Sequence, residues 1–143
     1  MKRYLNILMM LGLVALCAIA AQAQTNNPKR LVAQIPFAFN AGKTTLPAGK
    51  YTISVVNPNS DRTVLQIRSV DSHASAMILT NNVNSNPVDS AKLVFERYDD
   101  LYFFTEAQMA GESTSFAALH SKDQRKRMVA ETAKKRVVVI MIG

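Results

Sequence analysis

The chain has 143 residues, with 17 Lys and Arg against 10 Asp and Glu, and a single cysteine. That length allows one domain with a substantial hydrophobic core. Because the single cysteine, Cys17, lies in an N-terminal apolar run, the rest of the chain has no thiol, which excludes disulfides, thiolate metal sites and cysteine nucleophiles there.

The N-terminal segment has the pattern of a secretory signal peptide. Lys2 and Arg3 precede an uncharged apolar run at 7–21, and Ala21-Gln22-Ala23 supplies the small residues that a signal peptidase requires. The run is shorter than the roughly 20 residues that span a bilayer, which favours cleavage over an uncleaved membrane anchor. Leu16 stands before Cys17 where a lipoprotein needs a small residue, so lipidation is not expected. We therefore expect an exported protein, periplasmic or extracellular, without a transmembrane segment after cleavage.

Alternating apolar residues predict a series of short β-strands. The segments with this period-two pattern are 31–39, 51–56, 64–70, 74–80, 91–96 and 101–105, with a shorter one at 116–119. Pro36 predicts a bulge or a sheet edge in the first strand, because proline cannot donate to the ladder. The polar segment at 81–86 predicts a loop, and Tyr98-Asp99-Asp100 predicts a tight hairpin turn.

The C-terminal part predicts a basic helix and then a last strand. Ser121 and Gln124 fit a capping box, which predicts a helix over about 122–134 that packs through Met128 and Val129. The β-branched run at 137–142 predicts a buried strand. We expect that strand to pair within its own sheet rather than with a neighbouring subunit, since closing its own edge costs no association entropy.

Seven or eight strands and one late helix predict an all-β fold, a small antiparallel β-sandwich or barrel. The expected organisation is a cleaved signal peptide at 1–23, a flexible segment at 24–30 and a single β domain at 31–143.

One short stretch imitates a phosphate-binding loop. Gly42-Lys43-Thr44 matches the end of the pattern G-x-x-x-x-G-K-[ST], but the earlier glycine falls on Phe37. The segment is also followed by Leu46-Pro47-Ala48-Gly49, a turn into a strand, rather than by a helix whose N-terminus could face an anion. The sequence therefore predicts a turn here and no nucleotide.

No metal, cofactor or catalytic site is predicted. His73 and His120 are far apart in the sequence without obvious ligand neighbours, and Asp99-Asp100 alone offers too few oxygens for calcium. No serine lies in a G-x-S-x-G elbow. We therefore expect a protein that is not an enzyme and has no cofactor.

The positive charge is concentrated at the C-terminal end. Residues 24–120 carry as many Lys and Arg as Asp and Glu, and the excess of positive charge after the predicted signal peptide lies in 121–143. Two basic triplets form a candidate anion-contacting patch, which could hold an anionic envelope polymer; the alternative is a solvated helix face. No aromatic residue interleaves the charges, so nucleic acid is not an expected partner. The patch residues are Arg125, Lys126, Arg127, Lys134, Lys135 and Arg136.

Three motifs resemble those of a known group of proteins. They are Ile35-Pro36-Phe37-Ala38-Phe39, Leu46-Pro47-Ala48-Gly49-Lys50-Tyr51 and Ala91-Lys92-Leu93-Val94-Phe95-Glu96-Arg97-Tyr98. The set is similar to the IPFxF…LPAGxYxV…AKLVFxRY pattern of small, exported, uncharacterised proteins common in soil Acidobacteria. The resemblance covers the chain from about Leu31 to the basic helix and implies no catalytic or binding residue. The apolar run at 137–142 differs from the shorter, charged ends of that group.

Together these patterns predict an exported, non-enzymatic binding or structural protein of the envelope or extracellular space, with an anionic polymer or a protein as partner. Two alternatives stay open. One is a small-ligand carrier with a β-barrel cavity, for which Ala33, Ala76 and Ala91 would leave space opposite aromatic residues. The other is an enzyme with a dispersed site that the sequence does not reveal.

Overall fold

The computed structural model describes residues 29–130 and 135–142. Within them it contains ten β-strands and one helix, so the predicted all-β class is confirmed and the predicted number of strands is too low. The predicted signal peptide and most of the predicted flexible segment lie outside the described residues. The elements are β1 (Arg30–Ile35), β2 (Phe39–Ala41), β3 (Thr44–Leu46), β4 (Gly49–Val55), β5 (Arg62–Ser69), β6 (Ser75–Asn84), β7 (Ala91–Tyr98), β8 (Leu101–Gln108), β9 (Thr114–Ala118), α1 (Lys122–Ala130) and β10 (Arg136–Ile142).

All ten strands belong to one sheet. Eight of them run side by side and antiparallel in the order β1-β4-β5-β6-β9-β8-β7-β10. The β2–β3 hairpin joins β8 on the same edge as β9, because β7 occupies the opposite edge along its whole length. The β2–β8 pair is parallel, so the sheet is mixed and not purely antiparallel as predicted. In the described chain β1 and β10 approach each other without sharing a ladder, so the predicted barrel alternative is not formed.

Aromatic rings fill the centre of the hydrophobic core. The ring of Phe95 on β7 meets those of Phe37, Phe39 and Phe104 edge to face, at centroid distances of 5.2, 5.3 and 5.8 Å. Phe39 also meets Tyr51 of β4 edge to face at 5.3 Å, which connects the β2–β3 hairpin with a strand far from it in the order of the sheet. Such pairs contribute about 0.5–1.5 kcal/mol each beyond the burial of their area. The interior is therefore occupied by interlocking side chains.

The predicted strand at 31–39 is two strands in the structure. β1 ends at Ile35, and residues 36–38 bend the chain before β2 begins at Phe39. Pro36 lies at the break, because its ring nitrogen cannot extend the ladder, and β1 is an edge strand of the sheet, one of the two outcomes predicted for this proline. The bend stacks Phe37 on Tyr102 of β8 at 3.8 Å and directs β2 alongside β8 in the parallel sense.

The predicted turn at Gly42 is confirmed, whereas the predicted asparagine-rich loop contains strand residues. The segment that imitates a phosphate-binding loop is the β2–β3 hairpin, with Gly42-Lys43 as its two-residue turn between the paired residues Ala41 and Thr44. The asparagine-rich segment at 81–86 was predicted as a loop, but β6 continues to Asn84 because β9 pairs with it from Thr80 onward. Asparagine disfavours strands intrinsically, and here the hydrogen-bonding partner overrides that preference.

The helix α1 begins where the capping pattern predicts. The Oγ of Ser121 accepts a hydrogen bond from the backbone N–H of Gln124 at 3.1 Å, which confirms the cap. The reciprocal bond, from the Ser121 backbone N–H to the Gln124 Oε1, is not formed among the described residues. The Gln124 side chain is buried, and its Nε2 has no partner in that part of the chain. Val129 is 86% exposed, so the predicted packing through it is wrong. The side chain of Met128 and residues 131–134 lie outside the described part.

The last strand confirms one prediction and corrects another. β10 pairs with β7 of the same chain over its whole length, from Arg136 opposite Arg97 to Ile142 opposite Ala91, as the preference for intramolecular pairing predicts. It is not buried on both faces. β7 pairs with one edge of β10, and among the described elements no strand pairs with the opposite, outer edge.

Candidate interaction surface

The sequence-predicted basic patch is divided between two elements. Arg125 and Lys126 are exposed on α1, and Arg136 is exposed at the start of β10. Lys135 is instead engaged in an ion pair, described below. The side chain of Arg127 and the whole of Lys134 fall outside the described residues. The structure thus exposes three of the predicted cations and ties down a fourth.

Glu96, Tyr98 and Lys135 form a polar cluster, the Glu96 cluster, on the outer face of β7. The Nζ of Lys135 lies 2.6 Å from Oε1 of Glu96, and the Tyr98 hydroxyl donates to Oε2 at 2.8 Å. The Tyr98 ring is buried and meets Phe103 edge to face at 5.8 Å. Because each carboxylate oxygen of Glu96 has a side-chain partner, and one of those partners is Lys135, the cluster fastens the chain before β10 to the sheet.

Electrostatics keep this carboxylate charged. Burial alone would raise the pKa of Glu96, but the hydrogen bonds from Lys135 and Tyr98, together with the charges of Lys135 and His120, hold the pKa below its usual value. Burial, and then the bond to the carboxylate, raises the pKa of Tyr98. The cluster therefore consists of an ionised acid, a cation and a neutral phenol, which is an arrangement for holding structure rather than for transferring protons near neutral pH.

The described histidines and acids outside this cluster do not come together as a metal site. Within residues 29–130 and 135–142 no group of three or more His, Asp or Glu side chains is placed to hold a metal ion. Neither His73 nor His120 hydrogen-bonds to a serine in that part of the chain. Asp99 and Asp100 form the β7–β8 turn, as predicted, with Asp99 at a φ of 50° and Asp100 beside Arg97.

A shallow polar depression lies at the β5–β6 turn. Its volume is about 460 Å³, and it is open to solvent. Its backbone is held by internal hydrogen bonds: the N–H of Ser72 donates to Ser69 Oγ at 3.1 Å, and the N–H of Ala74 donates to Ser72 Oγ at 3.3 Å. These bonds use the hydroxyls to shape the turn. The lining residues are Thr52, Arg68, Ser69, Val70, Asp71, Ser72 and His73.

The clearest unpartnered surface is a row of apolar side chains on the outer face of β10, which we call the β10 stripe. It consists of Val137, Val139 and Met141, which are 60%, 48% and 59% exposed. The alternate residues Val138, Ile140 and Ile142 point the other way and pack against the core. Exposed apolar residues are common singly, but three in register on one edge strand are informative.

The neighbours of the β10 stripe define its borders. On β7, Glu96, Val94 and Lys92 lie directly opposite Val137, Val139 and Met141. Because Glu96 is ion-paired with Lys135, that ion pair borders the β10 stripe at its Val137 end. The sequence pattern found the strand but not this exposure. A continuous apolar run is typical of a strand buried on both faces, and only the position at the sheet edge exposes one of them.

No helix in the described part of the chain is long and apolar enough to cross a membrane. Comparison of the chain with protein-family models, with curated proteins and with solved structures finds no match.

Proposed function

We propose that this chain is an exported, non-enzymatic binding or structural protein of the cell envelope or extracellular space, and that it acts through the apolar edge formed by β10. One observation carries the proposal, namely the β10 stripe of Val137, Val139 and Met141 on a strand whose outer edge no other described element pairs with. Exposed strand edges and apolar strips are the surfaces through which β proteins add partners.

The core supports a surface role over the carrier alternative. Ala33 and Ala76, two of the small residues expected to leave space for a ligand, are buried in the core, and Ala91 packs against it. The aromatic rings around Phe95 occupy the centre, and the sheet does not close. The enzyme alternative finds little support, because the carboxylate of Glu96 is already ion-paired with Lys135 and hydrogen-bonded to Tyr98.

The proposal is tested by expressing the full chain and separating cytoplasmic, envelope and extracellular fractions. We expect the protein outside the cytoplasm, and we expect it to bind isolated envelope material. Val139→Lys, which places a charge in the middle of the β10 stripe, should weaken that binding by about tenfold or more, the loss typical of one anchor residue at an interface.

Met77→Lys is the matched control. Met77 is an exposed apolar residue on β6, away from β10, and is 68% exposed. If both variants bind envelope material as the unmodified protein does, the β10 stripe is not the binding surface. Retention of the chain in the cytoplasm would contradict the proposed location.

A further inference from the structure

We propose that the partner of β10 is β10 of a second copy of this chain, paired antiparallel about a twofold axis through Val139. The inference rests on the proposed function, since it names the occupant of the same edge. It gives a dimer in which the two sheets continue into one another.

One edge of β10 has no strand partner in the described chain. β10 pairs with β7 on one side, and no described strand pairs with its other side; β1 lies nearby but shares no ladder with β10. The amide and carbonyl groups along that side can therefore accept another strand. Natural edges are usually protected by a proline, a bulge or an inward-pointing charge. The stretch from Val137 to Ile142 contains no proline, glycine or charged residue.

A register centred on Val139 pairs the whole strand with its copy. When Val139 lies opposite its own copy, all seven residues of β10 are paired: Val138 faces Ile140, Val137 faces Met141 and Arg136 faces Ile142. Residues opposite one another in an antiparallel pair point to the same side. Val137, Val139 and Met141, which are exposed in the single chain, would therefore meet their counterparts on one face.

The side chains that oppose one another in this register are compatible. In this register each Arg136 faces an apolar residue, so no like charges are opposed, and the β-branched side chains favour a pleated surface. The inner residues Val138, Ile140 and Ile142 are only half-buried in the single chain, and the added strand would cover them too. A twofold contact of this kind is isologous and closed, so it predicts a dimer rather than a fibre.

Single-cysteine cross-linking tests the register directly. In a Cys17→Ser background, Val139→Cys places two thiols opposite one another, within the Cα separation that a disulfide requires. Met141→Cys alone places them four positions out of register, too far to join. We expect Val139→Cys to cross-link under mild oxidation and Met141→Cys not to. A mixture of the Val137→Cys and Met141→Cys proteins should cross-link as a heterodimer.

Oligomeric state is measured in parallel by sedimentation of the full chain. We expect a dimer that Val139→Lys converts to monomer and Met77→Lys does not, with circular dichroism showing that each variant is folded. If the lysine variant does not fold, Val139→Thr replaces it in the test. This variant keeps a β-branched side chain and should also weaken the dimer. A monomer at all concentrations, species larger than a dimer, or equal cross-linking of Val139→Cys and Met141→Cys would overturn the inference. A monomer whose envelope binding still depends on Val139 would overturn the inference while leaving the proposed function standing.

Discussion

The ammonium group of Lys135 lies 2.6 Å from Oε1 of Glu96, so the residue that leads into β10 is fastened to the strand with which β10 pairs. Tyr98 completes the arrangement by donating to the other carboxylate oxygen at 2.8 Å. The last strand is thus held both by its backbone ladder and by a partly buried ion pair at its start.

We expect Glu96→Gln to lower the free energy of unfolding by about 1–2 kcal/mol. Hydrogen bonds to charged groups are worth about 1.5–3 kcal/mol, and the partial exposure of Lys135 reduces that figure by screening. Urea unfolding at neutral pH measures the change. Asp100→Asn, which alters the ion pair of a fully solvated carboxylate with Arg97, is the control and should change little. A loss from Glu96→Gln no larger than that from Asp100→Asn would show that the Glu96 cluster adds no more stability than a surface ion pair.

The same ion pair predicts a pH dependence. Because the pKa of Glu96 is lower in the folded than in the unfolded chain, its contribution is complete above the unfolded value of about 4.3 and is lost as the pH falls through the folded value. The difference in unfolding free energy between the unmodified protein and Glu96→Gln should therefore shrink below about pH 4. Urea midpoints across this range check the sign, and a difference that grows on acidification would contradict it.

Gln108 joins two loops beside β8 and β9. It is fully buried, and its Nε2 donates to the carbonyl oxygens of Asn86 and Glu112 at 2.7 and 3.0 Å. Gln108→Glu replaces that donor with an acid facing two carbonyls, and we expect it to cost at least about 2 kcal/mol.

Hydrogen exchange locates this effect. The amide of Gly111 donates to Val88 and that of Ser85 donates to Ser113, and both should lose protection in Gln108→Glu. Gln34→Glu, at an exposed position on β1, is the matched control and should leave both amides protected. Unchanged protection in the two variants would rule out the proposed role of Gln108.

Gly42 occupies the turn of the β2–β3 hairpin with a φ of 62°. Gly42→Ala meets no atom within 4 Å, so its expected cost of about 1 kcal/mol is purely the strain of a left-handed backbone. Gly49→Ala is the control, because Gly49 has no positive φ and its new methyl would meet Tyr51 at an ordinary 3.7 Å. Thermal unfolding of the two variants should show a lower midpoint for Gly42→Ala only.

The exposed cations of the basic patch give a separate prediction. If Arg125 and Lys126 bind an anionic polymer, the double substitution to Gln should weaken binding to dextran sulfate, and raising the salt concentration should weaken binding of the unmodified chain. Titration by fluorescence anisotropy measures both effects. Lys43→Gln combined with Lys50→Gln removes the same charge from exposed positions elsewhere and is the control. Equal losses in the two double variants would indicate a response to net charge and not a site.

Features that depend on neighbouring residues were predictable from the sequence, and features that depend on distant residues were not. Period two predicted most of the strands, and turn chemistry predicted the Asp99-Asp100 hairpin, because both depend on neighbouring residues. The sequence did not reveal that Asn81–Asn84 would extend β6, since that depends on the distant β9. Nor did it reveal the ion pair of Glu96 with Lys135, which no spacing rule connects.

The candidate surface shows the same division at a single strand. By itself the sequence determined that residues 137–142 form a strand, because five of these six apolar side chains are β-branched and favour extended backbone over helix. Only the tertiary structure decided which of them face water. Among the described strands β7 alone pairs with β10, the core covers Val138 and Ile140, and Val139 stays 48% exposed. Burial is a property of what packs against a residue, and that is set by the path of the whole chain.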